Sequence, residues 1–509
     1  MLQTLKNAWK TPDLKSKLLF TLLIVILYRL GSAIPVPWVV SGTFSDQPMA
    51  YAVTMIAGEA FSQAKLFALS VSPYITASII VQLLTVAIPA LERLAKEGEE
   101  GKKKIDMITR IITMVLAAIT ALGYAGIVCS RMATFSSELG AYKETGNAFL
   151  DFFGRLPWIN VFVQGYGFEF AVMVACFIAG AAIVMWLAEK INERGIGNGI
   201  SIILFANIIT ILPKTFTGLF EVMKNSINGL SIEGQEGDNI FRLVSAIIWT
   251  LFVAGLLAVL SWIIVWFTES ERRIPVQYAK KVVGRKMYGG SSSNLPLKLN
   301  MAGVMPVIFA NSIVSIPGTL AMIFDGGNGD GWLSKLSNGY FNYSKPLYVL
   351  LSIILLFAFA YFYILISFNP TEVANNIRNN GGAIPGIRPG KPTRDHIQKI
   401  LNRVTLIGAV FLCIVSELPK VLVAIFMTFI DLGVVFEGNP VFEFIKKFYD
   451  TGFYALYGVD AVGRYQGDHV FMTIAFAGTS ILIVVGVILE TIRELEAQLT
   501  LRNYKGFLD

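Results

Sequence analysis

The chain has 509 residues, 54% of them hydrophobic and 15% charged, against roughly 45 to 50% apolar and 25% charged in an average soluble domain. That balance excludes a string of soluble domains, because the apolar residues gather in runs such as FTLLIVILYRL and TSILIVVGVIL, and a bilayer crossing needs about 20 of them in succession. The formal charge of +7 does not call for nucleic acid, since the basic residues lie in the gaps between apolar runs, where membrane orientation accounts for them.

The first run ends at Gly31-Ser32-Ala33 after a basic stretch, the outline of a cleavable signal peptide. Many further runs follow, so it is expected to persist as a first span. The runs predict ten spans, near residues 18–34, 73–90, 107–128, 170–187, 200–212, 243–267, 304–324, 347–368, 404–418 and 471–489. An even number puts both termini on one side. The fifth and ninth are short for a bilayer of about 30 Å, so each must extend through polar ends or sit where protein surrounds it. Gaps on the side of the termini hold 26 Lys and Arg, the opposite gaps 13. The positive-inside rule therefore places both termini in the cytoplasm.

Arg29, Arg110, Glu169, Arg403 and Glu417 fall inside spans, each expected within about two turns of an end, where a long side chain can snorkel to the interface. No ionisable residue takes a mid-membrane position, which counts against an ion-coupled transporter with its carboxylate or histidine relay. Gly327-Asn328-Gly329-Asp330 and Tyr449-Asp450 have the form of intramembrane aspartyl protease signatures. That chemistry needs two carboxylates facing each other within the membrane, whereas these lie in polar outer loops and read as solvated aspartates. The three cysteines, Cys129, Cys176 and Cys413, have unrelated spacings and suggest neither a disulfide framework nor a metal site. No enzyme and no cofactor are expected.

Two cytoplasmic loops are too long for plain connectors. In residues 268–302, Ile274, Val276 and Tyr278 alternate as in a strand and a Gly, Ser and Asn cluster follows, predicting a protruding hairpin. Residues 368–401 are punctuated by Gly381-Gly382, Pro385, Pro389 and Pro392. Short charged loops would suffice for orientation, so the pair reads as a landing platform. Within the spans, Ser78, Gln82 and Thr85 form a polar stripe on one helix face, and Asn311 and Ser315 form another. The stripes suit either interhelical hydrogen bonds in a static bundle or a seam that can part, and the pattern does not choose between them.

The stretches SPYITASIIVQLLT, KEGEEGKKKIDMITR, ERGIGNGISIILFANII, RRIPVQYAKKVVGRKMYGG, LPLKLNMAGVMPVIFANSI, GIRPGKPT and FAGTSILIVV resemble the SecY family, the pore-forming subunits of the bacterial Sec protein-conducting channel. The resemblance implies an all-α integral membrane fold of ten transmembrane helices. They would form two pseudo-symmetric inverted halves of five, residues 1–213 and 243–509, joined by an outer hinge loop 214–242 around an hourglass pore. It implies a pore ring of Val71, Ile75, Ile200, Leu204, Ile308 and Ile483, in which Val71/Ile75 and Ile200/Leu204 are four apart and share a helix face. A plug would lie near residues 55–70. A lateral gate would open between the second and third spans and the seventh and eighth, which makes Gln82, Thr85, Asn311 and Ser315 seam candidates. Arg285, Lys286 and Arg388 match loop tips that contact a motor or the ribosome.

The implied partners are SecE-like and SecG-like small membrane subunits, a SecA motor ATPase, the ribosome, signal-sequence-bearing polypeptides and the lipid bilayer. The implied location is the bacterial cytoplasmic membrane. Residues 419–466 depart from the family pattern: the segment is long, and its portion VLVAIFMTFIDLGVVF reads as a ninth-span extension, an interfacial helix or a re-entrant piece. The competing class is a polytopic small-solute permease, which would need a saturable midplane site and no docking loops. A purely structural scaffold would conduct nothing.

Overall fold

The computed structural model describes Lys6 and residues 8–39, 59–131, 167–209, 239–278, 281–283, 286–288, 292–325, 335–336, 346–435 and 468–505. The GNGD segment, Tyr449-Asp450, most of the proposed hinge loop and residues 436–467 lie outside the described residues. Each of the ten expected spans falls largely on helix. The helices, in chain order, are α1 (Pro12–Ala33), the short α2 (Glu59–Ser62), α3 (Ser72–Ala87), α4 (Pro89–Lys96), α5 (Glu99–Arg131), α6 (Gly167–Arg194) and α7 (Gly199–Ile209). There follow α8 (Asn239–Glu269), α9 (Met305–Val314), α10 (Ile316–Asp325), α11 (Pro346–Ser367), α12 (Pro370–Asn379), α13 (Lys391–Val435) and α14 (Asp468–Lys505).

Local chemistry sets the boundaries. α1 opens with Pro12 and Asp13 in its first turn, where a missing N–H costs nothing and a negative charge meets the positive end of the helix dipole. α3 and α4 meet at an angle of 101°, because Pro89 drives Ile88 into extended backbone (φ −108°, ψ 113°). Five described helices are long and apolar enough to cross a membrane singly, and the bent α3–α4 pair makes a sixth. Large apolar side chains such as Leu22, Leu30, Trp262, Leu350 and Leu365 face outward, as they must where lipid is the solvent. The protein is an all-α integral membrane protein that crosses the bilayer several times.

The two short spans resolve in opposite ways. The described part of α7, Gly199–Ile209, has Ile202, Ile203, Leu204, Ala206 and Ile208 all buried. Protein encloses most of it, with Ile209 exposed. The ninth span instead extends: α13 runs unbroken through Pro419 to Val435, so VLVAIFMTFIDLGVV continues the span. Pro419 cannot donate to the carbonyl of Val415, and α14 closes on that spot at Gly478, where any Cβ would lie 2.2 Å from the Val415 oxygen.

This extension corrects the expectation that Glu417 snorkels from a span end. Glu417 lies inside α13, 4% exposed, beside Lys420, 3% exposed, with Nζ 3.0 Å from Oε1. Ser352 of α11 donates to the same oxygen at 2.7 Å and Ser416 at 3.2 Å, while the Lys420 ammonium sits 5.4 Å from the Tyr348 ring centroid. An ion pair withdrawn from water is tolerated only with partners of this kind.

One large apolar cluster joins α1, α3, α6, α7, α8, α9, α11, α13 and α14, and a second joins α5 and α6 to residues around Phe61–Leu69. α9 packs on α3 and α11, α10 on α5, α11 on α13, and α13 on α14.

Removing one member of the buried ion pair strands the other, at a cost of about 3 to 5 kcal/mol. Lys420→Met is expected to lower the detergent-phase thermal midpoint sharply, and Lys420→Met combined with Glu417→Gln to recover most of the loss. Equal losses in both would assign the cost to packing instead of charge.

Candidate functional site

Three helices begin close together. α3 has Pro73 and α9 has Pro306 within the first turn. α7 is started by side-chain amides: Asn192 Oδ1 accepts from Gly199 N at 2.7 Å and Asn198 Oδ1 from Ile200 N at 3.1 Å. Proline and capping asparagine are the residues that supply or spare the unpaired N–H groups of a first turn. Val71 is the residue capping α3, Ile75 lies in its first turn, Ile200 and Leu204 in the first two turns of α7, and Ile308 in the first turn of α9. Ile483 comes from within α14.

Val71, Ile75, Leu204, Ile308 and Ile483 are buried in one apolar cluster, and Ile200 packs against it half-buried. All six ring candidates, from three helix starts and one helix interior, are thus brought into one body of side chains. Adjoining them is a cavity of about 140 Å³ that Ile75, Ile200 and Ile308 share with polar Ser78, Gln82, Asn198 and Ser201. Among the described residues the buried Ser201 hydroxyl has no partner, and a cavity of this size has room for several waters. The arrangement is an apolar knot of side chains with a small, partly polar chamber on one side.

The polar stripes lie along helices that touch, α3 on α9. Gln82 Nε2 donates to Ser78 at 3.2 Å, Thr85 Oγ1 to the Gln82 carbonyl at 2.7 Å and Ser315 Oγ to the Ser312 carbonyl at 2.8 Å. Each of these bonds stays within its own helix. Asn311 is buried in α9. Among the described residues, the contact is therefore closed by packing and not by hydrogen bonds from these three side chains. The chamber also takes in Met305, Phe309 and Tyr363, which sequence reasoning did not single out. Asn198 carried a signal, a short amide just before an apolar run; Phe309 and Tyr363 carried none.

The two long loops fold as one unit. β1 (Glu271–Tyr278) pairs antiparallel with β4 (Ser292–Lys298), from Glu271↔Lys298 to Gln277↔Ser292, and the predicted alternation holds, with Ile274 and Val276 buried. Between them β2 (Lys281–Val283) and β3 (Lys286–Tyr288) pair as a ribbon. Lys286 begins β3, opposite Val283; its side chain and all of Arg285 lie outside the described residues. What the sequence did not reveal is β5 (Gly382–Ala383), which adds the second loop to the other edge of β1 through Gln277↔Ala383 and Tyr278↔Gly382. Ile274, Val276, Leu297, Ile377, Ile384 and Ile397 form the small core beneath.

Arg388 is exposed at the rim of this platform. The bend that carries it is held by Thr393 Oγ1, which donates to the Arg388 carbonyl at 2.9 Å, and by Ile387 N, which donates to the Ile384 carbonyl at 3.0 Å. At the base of the sheet, burial and then the neighbouring Arg493 hold the Lys298 ammonium below the usual lysine range, with Glu271 and Glu269 opposing.

Comparison with known proteins follows the same lines. The SecY family model matches residues 65–438. Protein translocase subunit SecY of Streptomyces galbus is 38% identical over 517 residues, covering 100% of both chains, and that of Mycobacterium bovis is 35% identical over 522 residues with the same coverage. Among solved structures, a protein-conducting channel matches with TM-score 0.55 at 16% identity, over 95% of this chain and 92% of that one. Sec61 from a canine ribosome–channel complex matches with TM-score 0.52 at 16% identity and the same coverage.

Gly382 sits where a Cβ would lie 2.9 Å from the Tyr278 ring and 3.1 Å from Ile377 Cγ2. Gly382→Val is expected to detach β5 from β1, so that limited proteolysis of residues 380–392 accelerates while the thermal midpoint of the helical body moves little.

Proposed function

We propose a working cycle that starts from one premise: the chain belongs to the SecY family, whose members form protein-conducting channels. The channel passes unfolded secretory polypeptides across the membrane and releases apolar segments sideways into lipid. The observation that carries this reading is the gathering of Val71, Ile75, Ile200, Leu204, Ile308 and Ile483 into one apolar cluster beside a polar chamber. An apolar constriction excludes water and ions because neither can shed its hydration there, yet it forms no specific bond to a passing chain.

The six side chains act as the pore ring, and residues 55–70 act as the plug behind it. Residues 1–213 and 243–509 act as two halves that part between α3 and α5 on one side and α9, α10 and α11 on the other. Gln82, Thr85, Asn311 and Ser315 lie along that gate, and the bonds of Gln82, Thr85 and Ser315 within their own helices mean that parting breaks few polar contacts. A segment that enters the gap leaves for lipid whenever lipid is its better solvent.

The sequence carries no Walker-type phosphate loop, so the drive is external: a SecA-like motor ATPase or a translating ribosome. Arg285, Lys286 and Arg388 act as its docking points, because a guanidinium on a braced loop suits bidentate contact with carboxylates or phosphates. SecE-like and SecG-like subunits complete the complex. The membrane is the bacterial cytoplasmic one, with both termini cytoplasmic, a placement supported by the 26-to-13 split of Lys and Arg.

Ile308→Asn or Ile483→Asn is expected to let water persist in the constriction, raising ion conductance of reconstituted vesicles and the export of substrates with weak signal sequences. Unchanged conductance and unchanged export in both would remove these residues from the ring. Arg388→Glu is expected to abolish translocation into purified vesicles and to depress motor-stimulated ATP hydrolysis or ribosome binding, with insertion and assembly normal. Full translocation by this variant would reduce Arg388 to one of many orienting charges.

A further inference from the structure

Between the proposed plug and the ring, three buried polar side chains close a cycle of hydrogen bonds. The Tyr28 hydroxyl of α1 donates to Asn207 Oδ1 of α7 at 2.7 Å. Asn207 Nδ2 donates to Ser70 Oγ at 2.8 Å, and Ser70 Oγ lies 3.1 Å from the Tyr28 oxygen. With the phenolic proton committed to Asn207, the serine proton is the one that reaches Tyr28, so each group both donates and accepts. Tyr28 is 0% exposed, and Ser70 and Asn207 are 2% exposed. In such dry surroundings, breaking one bond of a cycle weakens the others.

The cycle holds a segment that is otherwise strained. Ala64 (φ +46°) and Ser70 (φ +48°) both occupy the left-handed region, which is unfavourable for residues with a Cβ. The segment is gripped from several sides. Leu66 N donates to the Ile34 carbonyl at 3.0 Å, Tyr124 of α5 donates to the Phe61 carbonyl, and the Phe67 ring stacks on Tyr28 at 5.6 Å. Phe67 lies so close to α1 that a Cβ on Gly31 would fall 2.0 Å from its ring. Immediately after Ser70 comes Val71, the residue capping α3 and the first ring candidate.

We propose that Tyr28, Ser70 and Asn207 are positioning residues that latch this strained linker in the closed state and so set how readily the channel opens. The proposal rests on the channel reading above and deepens it. Releasing the cycle lets Ser70 relax out of the left-handed region, which draws Val71 from the ring and frees the segment behind it. A strong signal sequence supplies enough binding energy to break the whole cycle; a weak one does not. None of the three is among the ring residues, so their effect is on the opening equilibrium and not on the seal itself.

The test uses the full channel complex in vesicles, with ion leak and export of a substrate with a defective signal sequence as readouts. Tyr28→Phe, Asn207→Leu and Ser70→Ala are each expected to raise both by about fivefold, the shift that follows loss of one buried hydrogen bond of ordinary net strength. The combination of Tyr28→Phe with Asn207→Leu is expected to exceed either alone only slightly, because the cycle acts as a unit. Ser70→Gly removes the hydroxyl and the strain together and is expected to leak less than Ser70→Ala. If Tyr28→Phe fails to accumulate, Ser70→Ala opens the same cycle from its other side. A lowered thermal midpoint with unchanged leak and unchanged signal stringency would make the cycle merely structural and overturn the proposal. Ile308→Asn run in parallel separates the two failures: leak from Ile308→Asn but not from the cycle variants rejects the latch alone, whereas leak from none rejects the ring reading beneath it.

Discussion

A bilayer gives backbone N–H and C=O groups nothing to bond, so every departure from regular helix at membrane depth must be enclosed by protein that supplies the missing partners. The placement of the other features follows from that constraint. The turn segment from Gln63 to Val71 is hemmed in by α1, α5, α6 and α7, with the amides of Ala64, Lys65 and Leu66 donating to the carbonyls of Phe61, Ala60 and Ile34. The described turns of α7 bury Ile202, Ile203, Leu204, Ala206 and Ile208 among other helices. At Pro419, α14 covers the carbonyl that proline leaves free. Five of the six ring candidates sit where three helices begin, inside the enclosed body of the bundle.

Much of this was legible in the residues. Apolar runs of bilayer length give the helices directly, since lipid imposes a composition that soluble proteins do not share. The strand alternation of Ile274 and Val276 survived in β1 for the same kind of reason, one face being buried on a small core. The ring residues came from the family resemblance and not from periodicity, and the geometry adds that all six join one cluster.

What could not be read depended on contacts between distant segments. Gly382 and Ala383 look like punctuation in a loop, and only the register with Gln277 and Tyr278 makes them a strand. Glu417 looks like a span-end carboxylate until the helix is seen to pass beyond it and Ser352 of another helix is found bonded to it. Tyr28, Ser70 and Asn207 stand 42 and 137 residues apart along the chain, at positions where each alone reads as an ordinary helix or loop residue. Hydropathy reports which solvent a segment prefers; it is silent about which polar groups meet once that preference is met.

The shared sheet changes what docking means mechanically. α8 passes into β1 after Ser270 alone, Leu299 after β4 bonds back to Ser270 at 3.0 Å, and β5 ties the loop bearing Arg388 to the same strand. Neither loop can therefore flex as an independent tether. Load applied to the β4–β1–β5 sheet would be delivered through paired strands to the roots of α8, α9 and α13 together, as torque applied through a stiff crank. The helices on the far side of the α3–α9 contact receive none of it directly, so on the proposed docking reading a partner that leans on the platform would turn one group of helices against the other instead of merely bending a loop.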